Sequence, residues 1–362
     1  MLKSVRLINF KAFKDLTVTL RPLTLLTGLN GMGKSSILQA LLFLRQNYGT
    51  QVIKTSNVRL NGDLVQFGTW ADILFDQAEE DEFRIELNDL DVWQPFAFQF
   101  SSDKNTIVDT GKFNKNFVDT CPVFISDFQY IAAERLGPRK ISDISSTDDI
   151  GKYGEYAMYQ LHKLRDNKID ARLIHPSLRT TDVSNDRLLD NIEAWLGEIS
   201  PSIRLRLDYF ENFDSVQSLF AYVRDRDTSN YYRATNVGFG ITYVLPILLA
   251  ILSARPNSLI LLENPEAHLH PRGQAKMGEL LARASEVGIQ IICETHSDHI
   301  LNGMRVATKE HLAQPENIII HHFSVEEFVR THYEVFVDSD GGIAPWPEGF
   351  FDEFEKMLFK LI

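Results

Sequence analysis

GLNGMGKS at Gly28 to Ser35, entered from the apolar run LTLLT and followed by SILQALLFLR, is the stretch on which the reading of this chain turns. The glycines Gly28, Gly31 and Gly33 let a backbone curl until successive N–H groups converge, where side chains would obstruct the approach of a ligand. Behind them Ile37, Leu38, Leu41, Leu42 and Leu44 fall at helical spacing, so a strand, a loop and a helix follow in that order. A helix N-terminus then faces whatever the loop holds, and that arrangement suits phosphate. The G-x-x-x-x-G-K-S pattern predicts a P-loop for ATP. Gly28, Asn30, Gly31 and Gly33 cradle the phosphates, Lys34 reaches the β- and γ-phosphates, and Ser35 offers a hydroxyl to Mg2+, with Ser36 beside it. The alternative is a glycine-rich turn with a chance lysine, and the flanking strand and helix speak against it.

The other half of such a site needs an acid at the end of an apolar strand. LILLENPEAHLHP at Leu259 to Pro271 supplies Glu263, placed to hold Mg2+ through water. Around these two stretches the chain divides. Val5, Leu7 and Phe10, then Leu16, Val18 and Leu20, alternate as two strands. Val52 to Phe128 reads as a β-rich lobe with turns at Asn88-Asp89 and Ser101-Ser102. Between Ser142 and Ser200 two amphipathic segments, IGKYGEYAMYQLHKLR and NDRLLDNIEAWLGEI, predict a helical insertion. Strands return over Ile203 to Tyr232. A glycine-led helix over Asn236 to Leu252 precedes a strand at Leu259–Leu262, a helix at Gly273–Val287 and a strand at Ile289–Cys293, an alternation that implies a parallel sheet. The tail WPEGFFDEFEKMLFKLI reads as a turn and a short helix.

Composition sets the outer limits. Hydrophobic residues at 44% and 24 phenylalanines exclude a disordered chain. No apolar run reaches the roughly 20 residues of a membrane span, and MLKSVRLINF lacks a signal core, so a cytoplasmic protein is expected. Cys121 and Cys293 have no metal-ligand spacing and read as buried thiols. A net charge of −12 argues against a uniformly basic nucleic-acid binder but leaves room for a local DNA-binding patch.

The P-loop, the run ENPEAHLHP, THSDHIL at Thr295 to Leu301 and NFKAF near the start together resemble the ABC-class ATPases of the RecF, SMC and OLD type, including the AAA domain of Gabija and OLD nucleases. The resemblance runs from Phe10 to the WPEGFF segment and weakens in the helical insertion. It implies that Glu263 fills the Walker B position and that His296 is the switch histidine near the γ-phosphate. A surface histidine is the alternative, weakened by the apolar strand IQIICE that delivers His296 to the end of the sheet.

Several positions depart from the family pattern. The glutamate that usually follows the Walker B acid is Asn264, which accepts no proton. Glu266 is the remaining candidate base, with a cap on the following helix as its alternative. VGFGI at Val237 to Ile241 occupies the signature motif, with Gly240 at the second glycine and Gly238 where a serine is usual. It either meets the γ-phosphate of a partner chain, with Asn236 or Thr242 supplying the polar contact, or eases a helix start. His270 stands where an aspartate of the dimer-crossing loop is expected. For the Q-loop, Glu134 and Arg135 compete with Gln66, and a solvated turn is open for all three. FVDSDGG presents Asp338 and Asp340 much as TOPRIM nucleases present metal ligands, but too little chain follows for such a domain, and a hairpin turn is the better reading.

These readings predict an α/β P-loop NTPase built as an ABC-type ATPase head. Lobe I with Walker A covers 1–140, a helical insertion 141–200, lobe II with the signature-like motif, Walker B and switch histidine 201–330, and a strand, turn and helix 331–362. The expected function is ATP binding and slow hydrolysis with Mg2+, switching a homodimer in a DNA-processing or anti-phage defence complex. The partners would be an effector nuclease or another protein, with DNA an open partner and no membrane. The alternatives are an OLD-type metal-dependent nuclease and a transporter ATPase subunit.

Overall fold

The N-terminal alternation forms a hairpin in the computed structural model, which describes residues 1–48, 58–89, 92–100, 107–110, 114–125, 127–179, 185–200, 203–224, 227–326 and 329–361. Strands β1 (Leu2–Phe10) and β2 (Phe13–Thr19) pair antiparallel, with Val5, Leu7 and Val18 buried. Asn9 and Lys11 both adopt φ 50°, which reverses the chain within NFKAF. Next come β3 (Leu23–Gly28), α1 (Lys34–Tyr48), β4 (Glu82–Asp89), β5 (Val92–Phe100), β6 (Ile107–Asp109) and α2 (Lys115–Thr120). Asn88 and Asp89 lie inside β4 opposite Trp93 and Val92. Cross-strand pairing thus overrides their turn preference, while Ser101-Ser102 falls outside the described residues.

The chain then runs through β7 (Phe128–Ile131), β8 (Ser142–Asp143), α3 (Ala157–Leu164), α4 (Leu188–Ile199), β9 (Ile203–Phe210), β10 (Ser215–Arg224), β11 (Asp227–Thr228), β12 (Tyr232–Arg233), α5 (Phe239–Leu252), β13 (Leu259–Glu263), α6 (Pro271–Ser285), β14 (Gln290–Glu294) and α7 (Asp298–Lys309). It closes with β15 (Ile318–Glu326), β16 (Val329–Val337), β17 (Ile343–Ala344) and α8 (Glu353–Leu361). The first amphipathic segment is helical only from Ala157. Gly151 and Gly154 stand at φ 82° and 74°, and a Cβ on Gly154 would lie 2.4 Å from Pro246, so this stretch packs as a turn against α5.

Two compact units result. The first comprises Met1–Phe128, Pro315–Asp338 and Ile343–Ile362. It holds an antiparallel sheet in the order β2-β1-β4-β5-β6 and a second set in which β15 pairs parallel with β3 and antiparallel with β16. Its core is aromatic, which accounts for much of the phenylalanine content. Phe83 stacks on Phe98 at 5.0 Å, and Phe43 meets Phe98 edge-on at 5.1 Å.

The second unit comprises Gln129–Gln314 and Ser339–Gly342. Here β13 lies between β14 and β7, and β13 and β14 are parallel, with the ends at Glu263 and Glu294 in register and each followed by a helix. A smaller antiparallel sheet gathers β8 to β12 around β10. Helices α6 and α7 cross through glycine: a Cβ on Gly278 would stand 2.1 Å from the Ile300 carbonyl, and one on Gly303 would stand 1.9 Å from that of Ala275.

Candidate functional site

In the first unit the P-loop leaves β3 where the register places Thr27 beside His322 and Gly28 beside Phe323. Gly28, Gly31 and Gly33 have φ of 124°, 78° and 98°, conformations that L side chains rarely adopt. Two of the three are also needed for packing. A Cβ on Gly28 would lie 2.0 Å from the Phe323 carbonyl, and one on Gly33 would lie 2.4 Å from the Phe13 ring; Gly31 faces open space. The NFKAF reversal thus supports the phosphate loop through Phe13. Lys34, only 3% exposed, donates its ammonium protons to the carbonyls of Gly28 (2.9 Å) and Leu29 (2.7 Å), so its charge lies over the loop. Asn30 is exposed, Ser35 half-buried and Ser36 buried at the start of α1.

His322 was not singled out in the sequence, because IIIHHFSV reads as a plain strand. Its Nδ1 lies 3.4 Å from Thr27 Oγ1, and burial, aided by Lys34, lowers its pKa against the opposing pull of Asp352. Its neighbour His321 is fully buried between the Thr19 carbonyl (2.7 Å) and His332 (2.8 Å), and burial pushes its pKa down to about 3.

In the second unit the acidic strand end is held from several sides. The Tyr130 hydroxyl donates to Glu263 Oε1 (3.0 Å) and the Ala133 N–H to Oε2 (3.1 Å). Burial, followed by the Glu263 charge, raises the Tyr130 pKa and keeps it a donor. Arg135, 2% exposed, donates to the carbonyls of Ala132 (2.9 Å), Glu263 (2.8 Å) and Asn264 (2.7 Å). Asn264 takes φ 45°, and its N–H donates to the Glu294 carbonyl. Glu294 itself is buried and in register with Glu263, a second carboxylate that the sequence pattern did not reveal.

Glu266 does not cap the following helix. His270 does so, accepting from the Arg272 N–H at 3.4 Å. The Glu266 carboxylate instead accepts from Thr295 Oγ1 and the His296 N–H, each at 2.8 Å, while the His296 side chain is exposed. Gly238 caps α5 with open space around it, whereas a Cβ on Gly240 would lie 2.6 Å from the His268 carbonyl. Gly240 therefore serves a close approach within its own chain. Asn236 is exposed, and the Thr242 hydroxyl donates back to the Phe239 carbonyl. Glu134 and Gln66 are both exposed. Asp338 and Asp340 lie in the turn between β16 and β17, which pair as a hairpin. Among the described residues no group of three or more His, Cys, Asp or Glu could hold a metal. Cys121 and Cys293 are free and buried; burial pushes the Cys121 thiol to about 12 and raises that of Cys293.

A family model described as "AAA ATPase domain" matches residues 1–149, one described as "AAA domain, putative AbiEii toxin, Type IV TA system" matches 124–302, and one described as "Protein of unknown function (DUF3696)" matches 314–361. Residues 1–149 and 124–302 thus match models of AAA-type ATPase domains, the likenesses together support an ATPase of the OLD, RecF and SMC type, and the fold is that of an ABC-type ATPase head. Among individual proteins it is similar to the Old nuclease of Escherichia phage P2, with 24% identity over 370 residues that cover 92% of this chain and 62% of the relative. The chain thus spans about three fifths of that relative's length. Its fold is shared with SmcHead bound to the C-winged helix domain of ScpA (TM-score 0.51, 14% identity, 92% of this chain and 97% of the other). It is shared equally with the Smc head domain with a coiled coil and joint derived from Pyrococcus yayanosii (TM-score 0.51, 12% identity, 94% and 98%). No helix among the described residues is long and apolar enough to cross a membrane.

Proposed function

We propose that this chain binds ATP with Mg2+ and hydrolyses it slowly, using the cycle to close and reopen a homodimer. The observation that carries this reading is Lys34, buried with its ammonium over the carbonyls of a loop whose glycines all have positive φ. Ser35 and Glu263 are hard oxygen donors suited to Mg2+. The ion would neutralise charge on the phosphates. Glu263 would hold it, oriented by Tyr130 and Ala133, and His296 would face the γ-phosphate. Asn264 in the usual base position supports slow turnover.

The likeness to the phage Old nuclease supports a role in DNA processing or anti-phage defence, beside an effector nuclease or another protein. The test is titration calorimetry with MgATP. The wild-type chain should bind, and Lys34→Ala should lose roughly 10- to 100-fold in affinity, the worth of one charged hydrogen bond. Equal affinity in both proteins would refute the reading. Metal-dependent DNA cleavage by the chain alone, abolished in Asp338→Ala/Asp340→Ala, would favour a nuclease.

A further inference from the structure

We propose that Glu266 is a positioning residue, a latch that fixes the Thr295–His296 turn to the acidic loop and so aims His296. Both carboxylate oxygens are engaged by this turn, one by a hydroxyl and one by a backbone N–H. Thr295 is fully buried, and its Oγ1 also accepts from the Ser297 N–H at 3.1 Å, so the hydroxyl that Glu266 grips is part of the turn itself. A second tie lies further along. Ser297 Oγ caps α7 through the Ile300 N–H and donates to Gln274 Oε1, and Gln274 Nε2 donates to the Leu269 carbonyl at the far end of the acidic loop. Arg135 holds the near end of that loop through the carbonyls of Glu263 and Asn264. The loops after β7, β13 and β14 are therefore one hydrogen-bonded body, and Glu266 supplies its charge-assisted link to the histidine. Through the His296 N–H, Glu266 fixes the backbone from which the exposed His296 side chain extends.

A latch and a general base respond differently to the same substitution. Glutamine keeps a carbonyl oxygen for the His296 N–H and offers an amide to Thr295 Oγ1, whose oxygen can accept instead; it cannot take a proton from water. Only the consequence for hydrolysis rests on the ATPase reading, so the first measurement is independent of nucleotide. In hydrogen exchange of the full chain, the His296 amide should exchange roughly 10- to 100-fold faster in Glu266→Ala, the worth of a hydrogen bond to a charged group, and stay near wild type in Glu266→Gln. In ATP turnover, Glu266→Gln should remain within about tenfold of wild type, while loss of a base costs about 10²- to 10⁴-fold. Thr295→Val should lower kcat and add little to Glu266→Ala in the double variant, because the two remove one interaction. An unchanged His296 amide in Glu266→Ala overturns the latch whatever the turnover. A base-sized loss in Glu266→Gln with the amide still protected overturns it as well.

Discussion

Arg135→Met tests the acidic loop's main support. The methionine keeps an apolar stem in the buried site but removes the donors that reach the carbonyls of Ala132, Glu263 and Asn264. Each is a hydrogen bond from a charged group, worth about 1.5–3 kcal/mol. Opposing that loss, the variant no longer buries a guanidinium whose pKa burial lowers despite the carboxylates of Glu266 and Glu263 nearby. Three such bonds set against that relief leave a net cost of about 3–5 kcal/mol, similar to that of removing one partner of a buried ion pair. In urea unfolding with a slope of about 3 kcal/mol/M, the midpoint should fall by about 1–1.7 M at unchanged slope. Arg135→Lys should fall between, since one ammonium cannot span three carbonyls as a guanidinium does. A loss under about 1 kcal/mol in Arg135→Met, against the 3–5 expected, would show that the loop holds itself and refute the reasoning.

Gly303→Ala should destabilise the chain by about 1–3 kcal/mol or more in thermal unfolding, because its Cβ would sit 1.9 Å from the Ala275 carbonyl; Gly197→Ala, where nothing lies within 4 Å of the added Cβ, is the control. His321 is neutral in the fold down to about pH 3, while its unfolded pKa is 6.5. The unfolded state thus binds the extra proton between those values, so this contribution is complete above pH 6.5 and is lost at about 1.4 kcal/mol per unit as pH falls toward 3. His321→Gln should flatten the Tm profile between pH 5 and 6.5. To test a shared site, Lys34→Ala should be mixed with Gly238→Asp, since aspartate at Gly240 would strike its own chain. ATP held more tightly by the mixed dimer than by either parent is the expected result; confirmed mixed dimers that hold it no more tightly than either parent would refute the sharing.

The sequence by itself determined the elements whose signal is local. Glycine spacing, an apolar strand before it and helical spacing after it are properties of adjacent residues, and they suffice for the P-loop, for β13 ending at Glu263 and for β14 delivering His296. Tertiary structure decided everything that depends on which distant groups meet. Gly28 and Gly33 are required by Phe323 and Phe13 as well as by any phosphate, and Gly240 by the His268 carbonyl. Asn88-Asp89 became strand because β5 paired with it, and the segment at 150–156 became a turn because Gly154 packs on Pro246. Arg135 reads in sequence as a Q-loop candidate or a solvated turn residue, and Glu266 as a base or a cap. Their donors and acceptors lie on other strand ends, more than a hundred residues away for Arg135 and about thirty for Glu266. Hydrogen bonds across such separations leave no periodicity in the chain, because they are set by how strands and loops come together.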